Sequence, residues 1–180
     1  MGATVAFEMA RQLEQQGQRV AALVLLDGRA PVADLQPTAV DDADYAMLFG
    51  LYHQLPVSYE ILLSLQAEEQ LDYLLTLARR ATIVPPGTGR AQLARLVGVH
   101  TANIKALQAY RGLAVSLHTR VHVFRASIQP PGAPADPAMG WGRLLGENPS
   151  IHTVPGDHFT MLYPPHVKVL AHQVRACLGA

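Results

Sequence analysis

The sequence has one cysteine, no surplus of charge of either sign and no long apolar run. Cys177 on its own excludes an intramolecular disulfide, which fits a reducing compartment. Lysine plus arginine and aspartate plus glutamate number 14 each, so no basic surface is left over for a nucleic acid. No apolar run approaches the roughly 20 residues of a membrane span, and no secretion signal opens the chain. We therefore expect a soluble, cytoplasmic protein without nucleic-acid or membrane partners.

The 180 residues suffice for one domain with a hydrophobic core, and their first part has the pattern of half a βαβ unit. Residues 1–16 carry apolar side chains at helical spacing, and Gly17 follows where a helix would end. An apolar run from Val20 to Leu26 then predicts a buried parallel strand that closes on Asp27. The sequence therefore indicates an α/β fold with a parallel sheet. The predicted buried face of the first helix consists of Ala6, Met9, Ala10 and Leu13.

The middle of the chain differs in character from its two ends. From about Asp41 to Arg111 the patterns are Leu-rich and helical, and we predict three or more helices there. Strand character returns at Thr119–Phe124 and again at Ile151–Val154, and Pro164–Leu178 has the pattern of a closing helix. We therefore divide the single predicted domain into residues 1–33, 34–115 and 116–180.

Two polar residues directly follow predicted strands: Asp27 after the first strand and His158 after the last. An acid that precedes a histidine in the chain matches the order of these residues in the α/β-hydrolase triad. Because the carboxyl ends of neighbouring parallel strands lie at one edge of a sheet, we expect the two side chains to meet. Asp136, which follows the second strand, and Asp157, which adjoins the histidine, remain alternative acids.

Four segments resemble the thioesterase domains that end nonribosomal-peptide and polyketide assembly lines. MGATVAFEMARQLEQQGQRVAALVLLD is similar to the stretch after the family's G-x-S-x-G elbow, with Met1 and Gly2 at the last two elbow positions. The other segments are VHVFRA at Val121–Ala126, D-x-x-x-GW at Asp136–Trp141 and VPGDHFTMLYPPHV at Val154–Val167. The resemblance implies a partial α/β-hydrolase fold of three parallel strands with flanking helices and a helical lid inserted at residues 34–115.

The resemblance also implies a role for three residues and a reaction. Asp27 would orient the histidine, His158 would act as general base and then general acid, and the backbone N–H of Met1 would contribute to the oxyanion hole. The serine would stand immediately before Met1. The implied reaction releases an acyl, peptidyl or polyketide chain from a phosphopantetheinyl carrier domain by hydrolysis or cyclisation, and it requires no cofactor.

The five serines of the sequence all lie outside any strand–turn–helix elbow, so none is expected to replace this nucleophile. They are Ser58, Ser64, Ser116, Ser127 and Ser150. Loss of the nucleophile of a triad costs about 10⁶-fold in turnover, and we expect the chain alone to be inactive. Two other interpretations stay open: a non-catalytic remnant, or a C-terminal subunit that pairs with a separate N-terminal half. A third, which we favour, is that Met1 is an internal methionine of a longer thioesterase.

The sequence predicts no metal site. His118 and His122 would lie about 13 Å apart on one strand, which is too far for both to bind one ion. Cys177 has the pattern of a small apolar helix residue rather than of a nucleophile.

Overall fold

The computed structural model describes residues 1–32, 41–110, 117–130, 133 and 135–179. The chain divides into two compact units, one formed by Met1–Gln36 and Tyr110–Ala180 and the other by Pro37–Ala109. Each unit has hydrophobic core residues of its own. The domain boundaries predicted at residues 33–34 and 115–116 lie outside the described residues, so the three-part division stays a prediction.

A three-stranded parallel sheet forms the frame of the first unit. Its strands are β1 (Leu23–Leu26), β2 (Val121–Ala126) and β3 (Ser150–Val154), in the spatial order β1-β2-β3. The register pairs Leu23 with Val121 and Val123 with Ile151. The helices of this unit are α1 (Gly2–Gln15), α6 (Trp141–Leu145) and α7 (His166–Leu178), and a 3₁₀ turn spans Thr160–Leu162. The predicted α/β class, with three parallel strands and flanking helices, is confirmed.

Helix α1 packs on the core through a face that differs from the predicted one. Phe7 is fully buried, whereas Met9 is 59% exposed, so the prediction that Met9 belongs to the buried face is wrong. The helix presents Ala3, Ala6, Phe7 and Ala10 to the core, so Ala6 and Ala10 lie on the packed face as predicted. Phe7 has the largest apolar side chain on this face, and its ring packs 5.4 Å from that of Trp141. Burial of this aromatic pair sets the rotation of the helix.

The carboxylate of Glu14, in the last turn of α1, fixes the segment that leads into β2. It accepts hydrogen bonds from the backbone N–H of His118 at 3.0 Å and of Thr119 at 2.8 Å, and another from the Thr119 hydroxyl. Because Glu14 uses these N–H groups, β2 begins at Val121 rather than at Thr119 as predicted. Strand β1 is likewise shorter than predicted, since its pairing starts at Leu23.

The described part of the second unit contains four helices, in agreement with the Leu-rich pattern of the sequence. They are α2 (Asp42–Tyr52), α3 (Tyr59–Ser64), α4 (Ala67–Arg80) and α5 (Arg90–Ala109). The side chains of Asp41 and Ser58 cap α2 and α3, and Leu62, Leu74 and Leu93 are fully buried between helices. No described helix, α5 included, combines the length and hydropathy needed to cross a bilayer. That this unit acts as a lid stays a prediction.

Gly28, directly after Asp27, lies against the first turn of α1. A Cβ atom at this position would stand 2.4 Å from the Cβ of Ala3, which is attached to rigid helix backbone and cannot swing away. Glycine therefore allows the loop after β1 to come this close to the helix.

We expect Gly28→Ala to lower the free energy of unfolding by about 1–3 kcal/mol, because the added methyl group overpacks the contact with Ala3. Gly2→Ala is the matched control, since a Cβ at that position in the same helix meets no atom within 4 Å. The control should change stability by no more than about 0.5 kcal/mol. Denaturant unfolding followed by circular dichroism measures both, and equal values for the two variants would contradict the close approach.

Candidate active site

The carboxyl ends of β1 and β3 bring Asp27 and His158 into contact. The Nδ1 atom of His158 lies 2.9 Å from the Oδ2 atom of Asp27, although 131 positions separate the two residues in the sequence. Both residues follow parallel strands whose carboxyl ends share one edge of the sheet. The structure thus brings together the two residues that the sequence predicts as acid and base. Their catalytic roles stay a prediction.

Three hydrogen bonds hold the carboxylate of Asp27, whose side chain is only 5% exposed. Its Oδ1 atom accepts one from the backbone N–H of Ala126 and one from Nε2 of Gln129, each at 2.9 Å. The third joins Oδ2 to His158. The backbone of Asp27 has a φ of +48°, a left-handed conformation in which aspartate is among the better tolerated residues. The strand therefore ends in a turn that directs this carboxylate across the sheet edge.

The charge state of Asp27 determines which nitrogen of His158 carries a proton. Burial raises the pKa of the Asp27 carboxyl, but the hydrogen bonds from His158, Ala126 and Gln129 outweigh burial and hold the pKa below its ordinary 3.8. An ionised carboxylate has no proton to donate, so Nδ1 of His158 carries the hydrogen. The lone pair of the neutral ring is then on Nε2, and the side chain is 50% exposed. This arrangement suits a general base.

The loop that carries His158 is organised by its own hydrogen bonds. The carboxylate of Asp157 accepts from the backbone N–H of Phe159 at 2.9 Å and of Thr160 at 2.8 Å. Gly156 has a φ of +96°, and a Cβ at this position would lie 2.8 Å from the hydroxyl oxygen of Thr160. Asp157 is therefore engaged by the backbone of its own loop and does not supply the carboxylate that faces the imidazole.

Asp136, the other alternative acid, is also engaged by backbone groups. Its two carboxylate oxygens accept hydrogen bonds from the N–H groups of Ala138 at 2.9 Å and Gly140 at 2.8 Å. The indole N–H of Trp141 then donates to the carbonyl of Gly28 at 2.7 Å. The D-x-x-x-GW segment therefore supports the loop that follows β1 and does not face His158.

Gln129 is a site residue that sequence reasoning missed. It lies in the loop after β2, and its Nε2 atom donates to Asp27 and to the carbonyl of Ala126, each at 2.9 Å. The available signal was a polar side chain three positions after a strand adjacent to β1.

Met1, the third predicted site residue, stands at the amino end of α1. Its carbonyl accepts a hydrogen bond from the N–H of Val5 at 3.2 Å, and the residue is 44% exposed. The close approach of Gly28 to Ala3 sets this end of the helix beside the loop that follows Asp27. The first N–H groups of a helix have no intrahelical acceptor, which makes such a position favourable for an anion. The role of Met1 in an oxyanion hole stays a prediction.

None of the serines that the structure describes stands in a tight turn that leads from a strand directly into a helix, where the family places its nucleophile. Ser58 and Ser64 stand at the two ends of α3 in the second unit. Ser127 directs its hydroxyl to a backbone carbonyl of the loop after β3 at 3.4 Å, and Ser150 opens β3. Ser116 lies outside the described residues.

Comparison with known families and proteins gives a consistent picture. The Thioesterase domain family matches residues 1–177 of the chain. Among curated proteins, orsellinic acid synthase of Emericella nidulans is 24% identical over 191 residues, which cover 92% of this chain and 8% of that protein.

Solved structures with the same fold include a peptide synthetase and a thioesterase domain. A holo four-domain nonribosomal peptide synthetase bound to AMP and glycine has a TM-score of 0.80 at 24% identity, covering 96% of this chain and 13% of that one. The NocB thioesterase domain, in covalent complex with a fluorophosphonate nocardicin G analogue, has a TM-score of 0.63 at 20% identity, covering 99% and 63%. The chain spans less than two thirds of the length of each of these relatives. The predicted α/β-hydrolase fold is confirmed.

We expect His158→Ala to raise the pKa of Asp27, because it removes the strongest of the interactions that lower it. Gln129→Ala should raise it as well, and His172→Ala, at an exposed position on α7, should not. Since the folded-state pKa is depressed, the carboxylate stabilises the fold above about pH 4, and this contribution is lost as pH falls through the folded-state pKa. NMR titration of the aspartate carboxyl carbons measures each shift. An unchanged Asp27 titration in His158→Ala would contradict the contact.

We expect Asp136→Asn to lower the free energy of unfolding by about 1 kcal/mol, because an amide has one acceptor oxygen for two N–H donors. The substitution should leave the pKa of Asp27 unchanged, since Asp136 acts on the backbone of its own loop. Thermal unfolding and the same NMR titration test both statements. A shift of the Asp27 pKa without loss of stability would assign Asp136 to the acid–base pair instead.

Proposed function

Because the chain belongs to the Thioesterase domain family, we propose that it carries the acid and the base of a serine thioesterase, Asp27 and His158. The observation that carries this proposal is the 2.9 Å contact between Asp27 Oδ2 and His158 Nδ1, with the other carboxylate oxygen held by Ala126 and Gln129. Such a carboxylate fixes the tautomer and orientation of the imidazole. Gln129 is a positioning residue, since it acts through Asp27.

In the proposed reaction His158 moves one proton in each of two steps. Its Nε2 atom takes the proton of the serine hydroxyl while the serine oxygen forms a bond to the thioester carbonyl carbon. The C–S bond then breaks, and the imidazolium returns the proton to the departing thiolate. In the second step Nε2 activates water, or a nucleophile within the acyl chain, and the serine oxygen leaves with the proton. Asp27 stabilises the imidazolium between these transfers and stays ionised.

The nucleophile in this proposal is a serine that directly precedes Met1. The described serines support this, because each is at a helix end, at the start of β3 or directed to a backbone carbonyl. The amino end of α1 would then carry the backbone N–H of Met1 toward the oxyanion. The 180 residues alone are inactive in this proposal, because they contain neither the hydroxyl nor a complete oxyanion hole.

The proposed substrate is an acyl, peptidyl or polyketide chain held as a thioester on the phosphopantetheine of a carrier domain. Support comes from relatives that belong to assembly-line synthases, including a nonribosomal peptide synthetase and orsellinic acid synthase. A thioester requires no metal for its cleavage by a serine, because the thiolate is already a good leaving group. The proposed reaction therefore involves no cofactor of its own, and the carrier is its partner.

A non-catalytic subunit that pairs with a separate N-terminal half is the second candidate function. One observation favours it: β1 stands at an edge of the described sheet, and Leu26 on this strand is 39% exposed. Val5 and Met9 on α1 are also at least half exposed. An uncovered apolar edge tends to pair with another chain.

We expect no hydrolysis of acyl-N-acetylcysteamine thioesters, which carry the thiol end of phosphopantetheine, by the purified 180 residues. The same chain extended by the codons in frame upstream of Met1 should hydrolyse them. In the extended protein, His158→Ala should lower turnover by about 10⁶-fold and Asp27→Asn by about 10⁴-fold. Thiol release followed with a chromogenic disulfide reagent measures all of these rates.

His172→Ala in the extended protein is the matched control and should retain the unmodified rate, because this exposed histidine lies on α7 away from the acid–base pair. Hydrolysis by the 180 residues alone, or activity that survives His158→Ala, would overturn the proposal. An in-frame stop codon directly upstream of Met1 would also overturn it. That result, with activity restored only by adding a separate N-terminal half, would establish the pairing alternative.

A further inference from the structure

Three side chains with metal-binding atoms converge at the face of the sheet covered by α7. They are His122 on β2, His152 on β3 and Cys177 near the end of α7, and one potential ligand atom from each lies within 4.8 Å of the others. His122 Nδ1 is 3.2 Å from His152 Nε2, and Cys177 Sγ is 3.5 Å from the same nitrogen. His118, which the sequence pairs with His122, lies outside β2 and is not part of this group.

Two of the three separations match those between ligands of one tetrahedral ion. Zinc–nitrogen bonds of about 2.05 Å and a zinc–sulfur bond of about 2.3 Å place two nitrogens about 3.3 Å apart and nitrogen and sulfur about 3.6 Å apart. The observed 3.2 Å and 3.5 Å lie within a few tenths of an ångström of these values. The third separation, between Cys177 and His122, is no more than 4.8 Å, so side-chain rotation has to close at most about 1.2 Å for an ion to bind all three atoms.

The hydrogen bonds among these three side chains do not give every polar atom of the group a partner. A single ring nitrogen has one lone pair or one hydrogen, so Nε2 of His152 serves only one of its two neighbours at a time. His122 is 8% exposed, and its Nε2 atom is buried without a hydrogen-bond partner. Neutral imidazole is the form that binds metals. At any one time, one of the two neighbours of His152 Nε2 therefore lacks a full hydrogen bond to this nitrogen.

We propose that His122, His152 and Cys177 bind one Zn²⁺ ion, with the fourth coordination position open to a neighbouring cleft. Cys177 binds as the thiolate, and its proton passes to solvent. The two imidazoles bind as neutral ligands. Imidazole nitrogens and thiolates are ligand types that zinc binds in proteins, and three protein ligands with an exchangeable ligand in the fourth position are typical of open zinc sites.

The cleft provides an entry path for the ion. It has a volume of about 470 Å³ and is lined by the three ligands together with Arg120, His172, Gln173 and Ala176. Arg120 is exposed and carries a positive charge, which opposes a cation in the site. Its replacement by a neutral residue is therefore expected to increase the affinity for zinc, which gives a test by a substitution that strengthens binding.

The proposed zinc site lies at the opposite end of the strands from Asp27 and His158. His122 is the second residue of β2 and Ala126, which contacts Asp27, is the last, so the two sites are about 13 Å apart along the strand. An ion in this position joins α7 to two strands of the sheet. Its role is therefore to hold the helix that follows the His158 loop and not to take part in thioester cleavage.

The experiment uses the 180-residue chain after removal of metals with a chelator. Calorimetric titration with zinc chloride should give one ion per chain, and Co²⁺ should produce the near-ultraviolet charge-transfer absorption of a thiolate ligand. Cys177 is the sole cysteine, so that absorption has only one source in the chain. Zinc should also raise the thermal midpoint of unfolding, because it binds the folded chain.

Cys177→Ser and His152→Ala should each weaken zinc binding at least tenfold and abolish the cobalt absorption, whereas His118→Ala, at an exposed histidine outside the group, should retain both. Arg120→Gln should bind zinc more tightly than the unmodified chain. The cobalt spectrum of the unmodified chain decides the outcome even where a variant fails to fold. Absence of the thiolate absorption, or zinc affinity that is unaffected by Cys177→Ser, would overturn the proposal.

Discussion

The hydrogen bond between Asp27 and His158 depends on the order of the three strands. Asp27 follows β1 and His158 follows β3, so the two residues reach each other across the end of β2, which lies between those strands. Strand β2 takes part directly, because the N–H of its last residue, Ala126, donates to the Asp27 carboxylate. A parallel sheet brings all three strand ends to one edge, and no antiparallel order of the same strands would do so.

A carboxylate that is 5% exposed is stable only when its hydrogen bonds offset the loss of water. In Asp27 these bonds come from three separate segments: the end of β2, the loop after it and the loop after β3. The carboxylate therefore joins those segments to one another as well as to β1. His158, in contrast, is half exposed, so the pair combines a buried, firmly held carboxylate with an accessible imidazole. That asymmetry is what general base catalysis requires of the two groups.

The sequence predicted the residues that follow strands within a recognisable motif and missed those that lack such a local signal. Asp27 and His158 each follow an apolar strand within a recognisable motif, so their meeting needed only the parallel topology. The start of β2 was misplaced because a helix residue, Glu14, binds the backbone that precedes this strand, and β1 begins only where it pairs with β2, at Leu23. Met9 was misplaced because Phe7 sets the rotation of α1. Nothing near Gln129 along the chain reveals a partner that lies 102 positions away.

The sheet carries the Asp27–His158 pair at the carboxyl ends of its strands and the group of His122, His152 and Cys177 toward the other end. Helix α7 packs against the sheet and contributes Cys177 to that group. The His158 loop begins at β3 and ends at α7, so both elements determine where the imidazole stands. Asp157 fixes the shape of this loop but not its position relative to β1. That position depends on how α7 packs against the sheet, where Leu170 joins the core around Phe124 and Val154. A cation bound by His122, His152 and Cys177 would reinforce that packing from the far end of the strands. It would thereby stabilise the position of the His158 imidazole without contacting it.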